Sequence, residues 1–161
     1  MFSNAIKMKG DVAIITREKD TGKIIDTYEE KNLVVSVGMD QVLKAITTKD
    51  TNNFVIETIS IGDDVGSGTV MNPEQPSTSY TKNNQNVVYA TPSDMFTISR
   101  PTETSVQLYA TLDGERVMES YPDSPNIIYT SATIRTVGDE VISYKRFPAR
   151  TISRLISVDI I

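Results

Sequence analysis

The feature that most constrains the fold is a series of short apolar segments separated by turn-forming residues. Residues 11–30, "DVAIITREKDTGKIIDTYEE", contain two strand-like stretches around Gly22, and glycine can adopt the positive φ that a tight turn requires. Residues 105–121 alternate apolar and polar side chains and then reach Asp113 and Gly114, which is a strong hairpin signal. We therefore predict two antiparallel hairpins with turns at these places.

The second half of the chain repeats this pattern. Residues 132–147 predict a third hairpin, whose turn we place at Gly138 and Asp139. Residues 151–161 alternate apolar and polar side chains and end the sequence in a strand, which we expect to be held within a sheet. We expect further strands within residues 53–62, 86–90 and 95–100.

One segment, residues 36–48, has helical rather than strand periodicity. Ser36 is a suitable N-cap, and Asp40 lies in the first turn, near the positive end of the helix dipole. About three turns are too short to be stable alone, so we expect the apolar stripe to pack on a sheet. That stripe consists of Met39, Val42, Leu43 and Ile46.

These elements predict one domain over residues 1–161. A chain of this length can bury roughly 70% of the surface exposed by its unfolded form, so it needs neither a metal nor a disulfide for stability. Many short strands, frequent turns and one small helix are typical of a mainly β protein. We predict an antiparallel β-sandwich, jelly-roll-like, with one short α-helix.

A long irregular loop is expected at about residues 62–85. Loops of more than about 12–15 residues are uncommon in compact domains and tend to be functional or disordered. Asp63 and Asp64 open this loop. They could ligate Ca²⁺, although an aspartate-rich turn explains them more simply. Pro73 and Pro76 restrict the loop, and we expect it to be mobile in a free monomer and ordered against a neighbouring subunit.

The composition excludes several classes of function. The chain contains no His, Cys or Trp, which removes the imidazole base, the thiolate nucleophile and the usual zinc ligands. The net charge of −5 is not that of a nucleic-acid-binding protein, and no apolar run is long enough for a membrane span. We expect no enzyme activity, no cofactor and no small-molecule substrate. A hydrolase that uses two carboxylates is the catalytic alternative, and its candidates are Asp63, Asp64, Asp113, Glu115 and Glu119.

Basic residues are concentrated near the C-terminus. Lys145, Arg146, Arg150 and Arg154 all lie within or beside the last predicted strands. Arginine is frequent at protein interfaces, where its guanidinium binds carboxylates. Charges on a strand also protect a sheet edge from aggregation, and the sequence leaves these two interpretations open.

Three features together resemble small structural proteins of tailed bacteriophages. These are "KNLVVSVGMDQVLKAI", "IETISIGDDVGSG", and the pair "IIYTSATIRT" and "VISYKRF". The resemblance extends over roughly residues 8–161. A Trp is common in the last strand of such proteins, whereas this chain ends in "VDII".

The resemblance implies a structural component of the virion, in the tail, the neck or connector, or the fibre attachment, made in the host cytoplasm. Such proteins are β-sandwiches arranged in rings or trimers and carry no catalytic residues. The partners would be other copies of the chain and adjacent virion proteins, with no nucleic acid and no membrane. The alternative is a lectin-like carbohydrate-binding module of a phage or bacterial adhesin. The candidate interface residues are Asp63, Asp64, Pro73, Pro76, Tyr80, Arg146, Arg150 and Arg154.

Overall fold

The computed structural model describes residues 10–34, 38, 40, 42–44, 47, 55–64 and 82–161; the side chains of residues 32–34 and 64 are outside this description. These residues contain nine strands: β1 (Gly10–Glu18), β2 (Ile24–Val34), β3 (Ile56–Asp64), β4 (Gln85–Ala90), β5 (Phe96–Thr102), β6 (Ser105–Asp113), β7 (Asn126–Thr136), β8 (Val141–Ser153) and β9 (Ile156–Ile160). A short helix, α1 (Gly114–Met118), follows β6, and 3-10 turns lie at Lys82–Asn84 and Ser93–Met95.

The strands form two antiparallel sheets that are joined through β2. The strand order is β4-β3-β7-β8-β2-β1-β9-β6-β5. Most of β2 pairs with β1, whereas its last two residues, Leu33 and Val34, pair with β8. We call β2, β1, β9, β6 and β5 the first sheet, and β4, β3, β7 and β8 the second sheet. The predicted antiparallel β-sandwich with a short helix is confirmed.

The core lies between the two sheets, as expected for strands that each have one apolar face. In β1, Val12 and Ile14 are buried, while Ala13 between them is partly exposed. Burial of such side chains is the main force that holds the sheets together. The largest fully buried core residues are Tyr129, Phe147, Ile14, Ile61, Leu112, Met118, Ile152, Val117 and Val158.

Two of the predicted hairpins are confirmed. β1 and β2 pair around a turn in which Gly22 has a φ of 70°. β7 and β8 pair around residues 137–140, but the positive φ of 60° belongs to Asp139 and not to Gly138. Aspartate tolerates this conformation better than most residues do. The last strand, β9, is paired on both sides, with β1 and with β6.

The predicted hairpin turn at Asp113 and Gly114 is wrong. Asp113 is instead the N-cap of α1, and its Oδ1 accepts a hydrogen bond from the backbone N–H of Glu115 at 3.2 Å. A Cβ at Gly114 would lie 1.9 Å from the carbonyl oxygen of Ser153, so the chain passes tightly against the end of β8 here. Aspartate favours both turns and N-caps, and the pair Asp-Gly therefore does not distinguish them.

The predicted helix near residue 40 is only partly described. Its described residues are all helical: Gly38, Asp40, Val42, Leu43, Lys44 and Thr47. Gly38 lies directly against β8, since a Cβ there would be 2.3 Å from the carbonyl oxygen of Ile142. Leu43 is 51% exposed, so its assignment to the buried stripe is wrong. Ser36, Met39 and Ile46 lie outside the described residues.

The predicted loop at 62–85 is shortened at both ends, because β3 continues to Asp64 and β4 begins at Gln85. The loop was expected to be mobile in a free monomer, and the residues concerned lie outside the part of the chain that the structure describes. In the part of the chain that is described, no helix is long and apolar enough to cross a membrane.

Candidate interaction surface

Strands β5 and β6 form a two-stranded arm that extends beyond the rest of the first sheet. The pairing of β6 with β9 begins at Ala110, opposite Ile160, and continues toward Asp113. The part of β6 before Ala110 pairs only with β5 in the described residues, through pairs such as Ile98 with Leu108. We call residues 97–109 the arm.

The arm has one apolar face, which continues the core face of the first sheet. Phe96 and Ala110 are opposite each other and pack in or against the core, and Ile98 and Leu108 follow on the same face. Ile98 is 48% exposed and Val106 is 57% exposed. Apolar side chains that would be buried inside the sandwich are therefore open to solvent on the arm.

The opposite face and the tip of the arm are polar. Thr97, Ser99 and Gln107 occupy the opposite face, together with the partly exposed Tyr109. At the tip, Nη2 of Arg100 donates to the carbonyl oxygen of Glu103 at 2.6 Å. The hydroxyls of Thr102 and Ser105 are hydrogen-bonded at 2.7 Å. Local bonds thus fix the turn, although no third described strand pairs with the arm.

The two ends of the strand order differ in how their edges are covered. At β4, the hydroxyl of Tyr121 donates to the carbonyl oxygen of Val88. The hydroxyl of Tyr89, in the same strand, lies 3.8 Å from the sulfur of Met95. At β5, in the described part of the chain, the only backbone pairing is with β6. The β4 edge is therefore closed in part by a side chain, whereas no described residue pairs with the outer edge of β5.

An ion pair holds the turn between β4 and β5 against α1. The two guanidinium nitrogens Nη1 and Nη2 of Arg116 lie 2.6 and 3.1 Å from the carboxylate oxygens of Asp94. Hydrogen bonding to Arg116 lowers the pKa of the Asp94 carboxyl and raises the pKa of the guanidinium. This bidentate geometry fixes where β5 begins.

The predicted acidic site is only partly visible. Oδ1 of Asp63 accepts a hydrogen bond from the hydroxyl of Thr130 at 3.0 Å. Within the described ranges, no group of three or more His, Cys, Asp or Glu side chains could hold a metal ion. The side chain of Asp64 lies outside the described part of the structure. Pro73, Pro76 and Tyr80 lie outside it entirely.

Of the three predicted interface arginines, Arg150 is held inside its own chain. Its side chain is only 12% exposed and forms an ion pair with Asp26. The guanidinium carbon lies 5.0 Å from the centroid of the Tyr28 ring and 5.9 Å from that of Phe147. Burial lowers the pKa of Arg150. This arrangement stabilises the junction between β2 and β8, where the two sheets meet.

The other two arginines occupy separate places. Arg146 is half-buried on β8, opposite Ser131. Arg154 lies in the turn between β8 and β9, and its guanidinium donates to the carbonyl oxygens of Ser124 at 3.3 Å and Pro122 at 3.4 Å. The structure therefore places Arg146 and Arg150 on β8 and Arg154 in the turn that follows it.

Beside Arg150, the buried ring of Tyr129 packs edge-on against Phe147, with 5.6 Å between ring centroids. Its hydroxyl has no hydrogen-bond partner among the described residues, and burial raises its pKa. Phe147, Pro148 and Ala149 form a bulge in β8 opposite a single residue of β7. Bulges accommodate proline, which cannot donate to the ladder.

A buried polar network in the second sheet was not anticipated from the sequence. The side-chain carbonyl oxygen of Gln85 accepts from the Thr133 hydroxyl at 2.7 Å and from Nη2 of Arg135 at 2.8 Å. Nη1 of Arg135 donates to Asp139 at 3.0 Å. The network satisfies polar groups that would otherwise be costly to bury, and ties β4 to β7.

Fold and surface together define an antiparallel β-sandwich with a two-stranded arm. Searches with protein-family models, among curated proteins and among solved structures found no match to this chain.

Proposed function

We propose that this chain is a non-enzymatic structural component of a tailed-phage virion, which associates with copies of itself and with neighbouring virion proteins. The observation that carries the proposal is the arm, whose apolar face continues the core face beyond the sandwich. The phage assignment itself rests on the sequence resemblance.

The physical support is the marginal stability of an isolated hairpin. Two strands in water are at best marginally stable, and three or more strands with a shared apolar face are needed for independent stability. Exposed apolar side chains such as Ile98 and Val106 also favour contact with another surface. A protein whose role is to assemble would use such an arm, and would need no catalytic group.

The proposal is tested by light scattering and negative-stain electron microscopy of the purified chain. We expect closed rings or trimers, as the sequence resemblance implies. Single chains at every concentration would contradict the proposal. A glycan array run on the same material examines the carbohydrate-binding alternative, and selective binding of one glycan by a monomer would favour that function instead.

A further inference from the structure

We propose that two copies of this chain pair through the outer edges of their β5 strands, antiparallel about a two-fold axis at Ile98. The two arms would then form one continuous four-stranded sheet. This inference rests on the proposed self-association and names the surface that makes the contact.

The two terminal edges of the strand order differ in how they are covered. β4 and β5 are the terminal strands of the order. The hydroxyl of Tyr121 donates a hydrogen bond to a backbone carbonyl oxygen of β4. The outer edge of β5 has no backbone partner in the described residues. An open edge pairs readily with another strand. Since β5 has the unpaired edge among the described residues, a second copy offers its own β5, and the contact is isologous.

The β5 sequence is complementary to itself in this pairing. In antiparallel pairing about Ile98, each Ile98 lies opposite the other, Thr97 lies opposite Ser99, and Phe96 lies opposite Arg100. Arg100 is the only charged residue of β5, so this register places no two charges opposite each other. Parallel in-register pairing would bring the two Arg100 residues side by side, which is unfavourable.

The number of strands also favours this pairing. Each arm alone has two strands and an exposed apolar face, and the pairing doubles the number of strands that share this face. Pro101 lacks an N–H group and limits the pairing to the start of β5. The contact is therefore small, and we expect weak association of the kind typical of interfaces below about 1,200 Å². In a larger symmetric assembly, contacts between other surfaces of the chain would add to the β5 contact.

The test uses cysteine cross-linking, because the chain contains no Cys and each introduced thiol is the only one. Residues directly opposite in an antiparallel pair have Cα atoms about 4.5–5.5 Å apart, within the reach of a disulfide. Ile98→Cys should therefore form a covalent dimer under mild oxidation. Gln107→Cys is the matched control, because it is also exposed on the arm. In the proposed dimer, the β6 strands of the two copies would lie three strand spacings apart, about 14 Å.

We expect Ile98→Cys to cross-link at least about tenfold faster than Gln107→Cys. A mixture of Thr97→Cys and Ser99→Cys chains should give mixed dimers in preference to dimers of either variant alone, which checks the register independently of Ile98. Circular dichroism verifies that each variant is folded. Equal rates for Ile98→Cys and Gln107→Cys, together with no excess of mixed dimers, would overturn the inference.

The outcomes separate this inference from the proposed function. Rings or trimers that form without preferential cross-linking at Ile98 would overturn the β5 contact alone. Preferential cross-linking in a protein that forms nothing larger than a dimer would support the β5 contact and contradict the assembly of rings or trimers.

Discussion

The hydroxyl of Tyr121 donates a hydrogen bond to the carbonyl oxygen of Val88 at the edge of the second sheet. Tyr121 follows α1, so a residue from outside the strands closes part of the β4 edge. No equivalent contact covers the outer edge of β5 in the described residues. Among the described residues, the two terminal edges therefore differ: that of β4 is partly closed and that of β5 is unpaired.

Removing the hydroxyl of Tyr121 should change both stability and assembly. Tyr121→Phe loses one hydrogen bond, and we expect the free energy of unfolding to fall by about 1 kcal/mol. The opened β4 edge could then pair with β5 of another copy, and such a head-to-tail contact can continue without closure. Urea unfolding and light scattering should show a lower midpoint and larger species than in the wild type. An unchanged size distribution would contradict the protective role of Tyr121.

Removing the hydroxyl of Tyr129, unlike that of Tyr121, should not lower the stability of the chain. Its hydroxyl is buried without a hydrogen-bond partner in the described part of the chain, and such a group is unfavourable in a core. Tyr129→Phe keeps the ring contact with Phe147. We expect the free energy of unfolding to stay constant or to rise by up to about 1 kcal/mol. A clear loss of stability in urea unfolding would show that the hydroxyl has a partner.

Arg150 should contribute to the fold more than Arg154 does. Arg150→Ala removes a partly buried ion pair with Asp26 and the contacts with two aromatic rings, and we expect a loss of about 2 kcal/mol. Arg154→Ala is the control, because Arg154 bonds only exposed turn carbonyls in the described contacts; its loss should be below about 1 kcal/mol. Thermal unfolding of both variants measures the difference. Equal losses would refute the structural role of Arg150.

The ion pair between Asp94 and Arg116 should make stability depend on pH at the acidic end. The pKa of the Asp94 carboxyl is lowered in the folded chain, chiefly by hydrogen bonding to Arg116. The stabilisation is therefore present above the unfolded pKa and is lost as the pH falls through the folded pKa. The melting temperature of Asp94→Asn should lie below that of the wild type at neutral pH, and the difference should shrink as the pH falls below about 4.

Both groups of this pair are exposed, so added salt should weaken the effect. A difference between wild type and Asp94→Asn that stays constant down to acidic pH would contradict the assignment of the effect to this carboxylate.

The sequence predicts the local features of this fold better than the non-local ones. The turn at Gly22 and the hairpin before Val141 follow from short-range chemistry, and both are present. The hairpin turn predicted at Asp113 and Gly114 was wrong, because a helix N-cap uses the same residue types as a turn. The order of nine strands depends on which distant segments meet, and short-range patterns do not encode that order.

The exposed apolar face of the arm also depends on non-local contacts that short-range patterns do not encode. The alternation around Ile98 and Leu108 correctly indicates strands. Their degree of burial depends on the register in which β9 pairs with β6, which is a relation between segments about fifty residues apart in sequence. Arg150 was predicted to lie at an interface, and its contacts with Tyr28 and Asp26 depend on the bulge in β8 and on the joining of the two sheets. No single segment contains this information.

Sedimentation equilibrium of the wild type beside Ile98→Lys tests most directly whether the chain associates through its arm. Ile98 is exposed in the single chain, so the substitution should leave the fold intact while placing two like charges opposite each other in the paired edges. We predict that the mass of the wild type rises with concentration above that of one chain, and that Ile98→Lys remains at the mass of one chain over the same range. A wild type that stays at the mass of one chain, or a variant that associates equally well, would contradict this account.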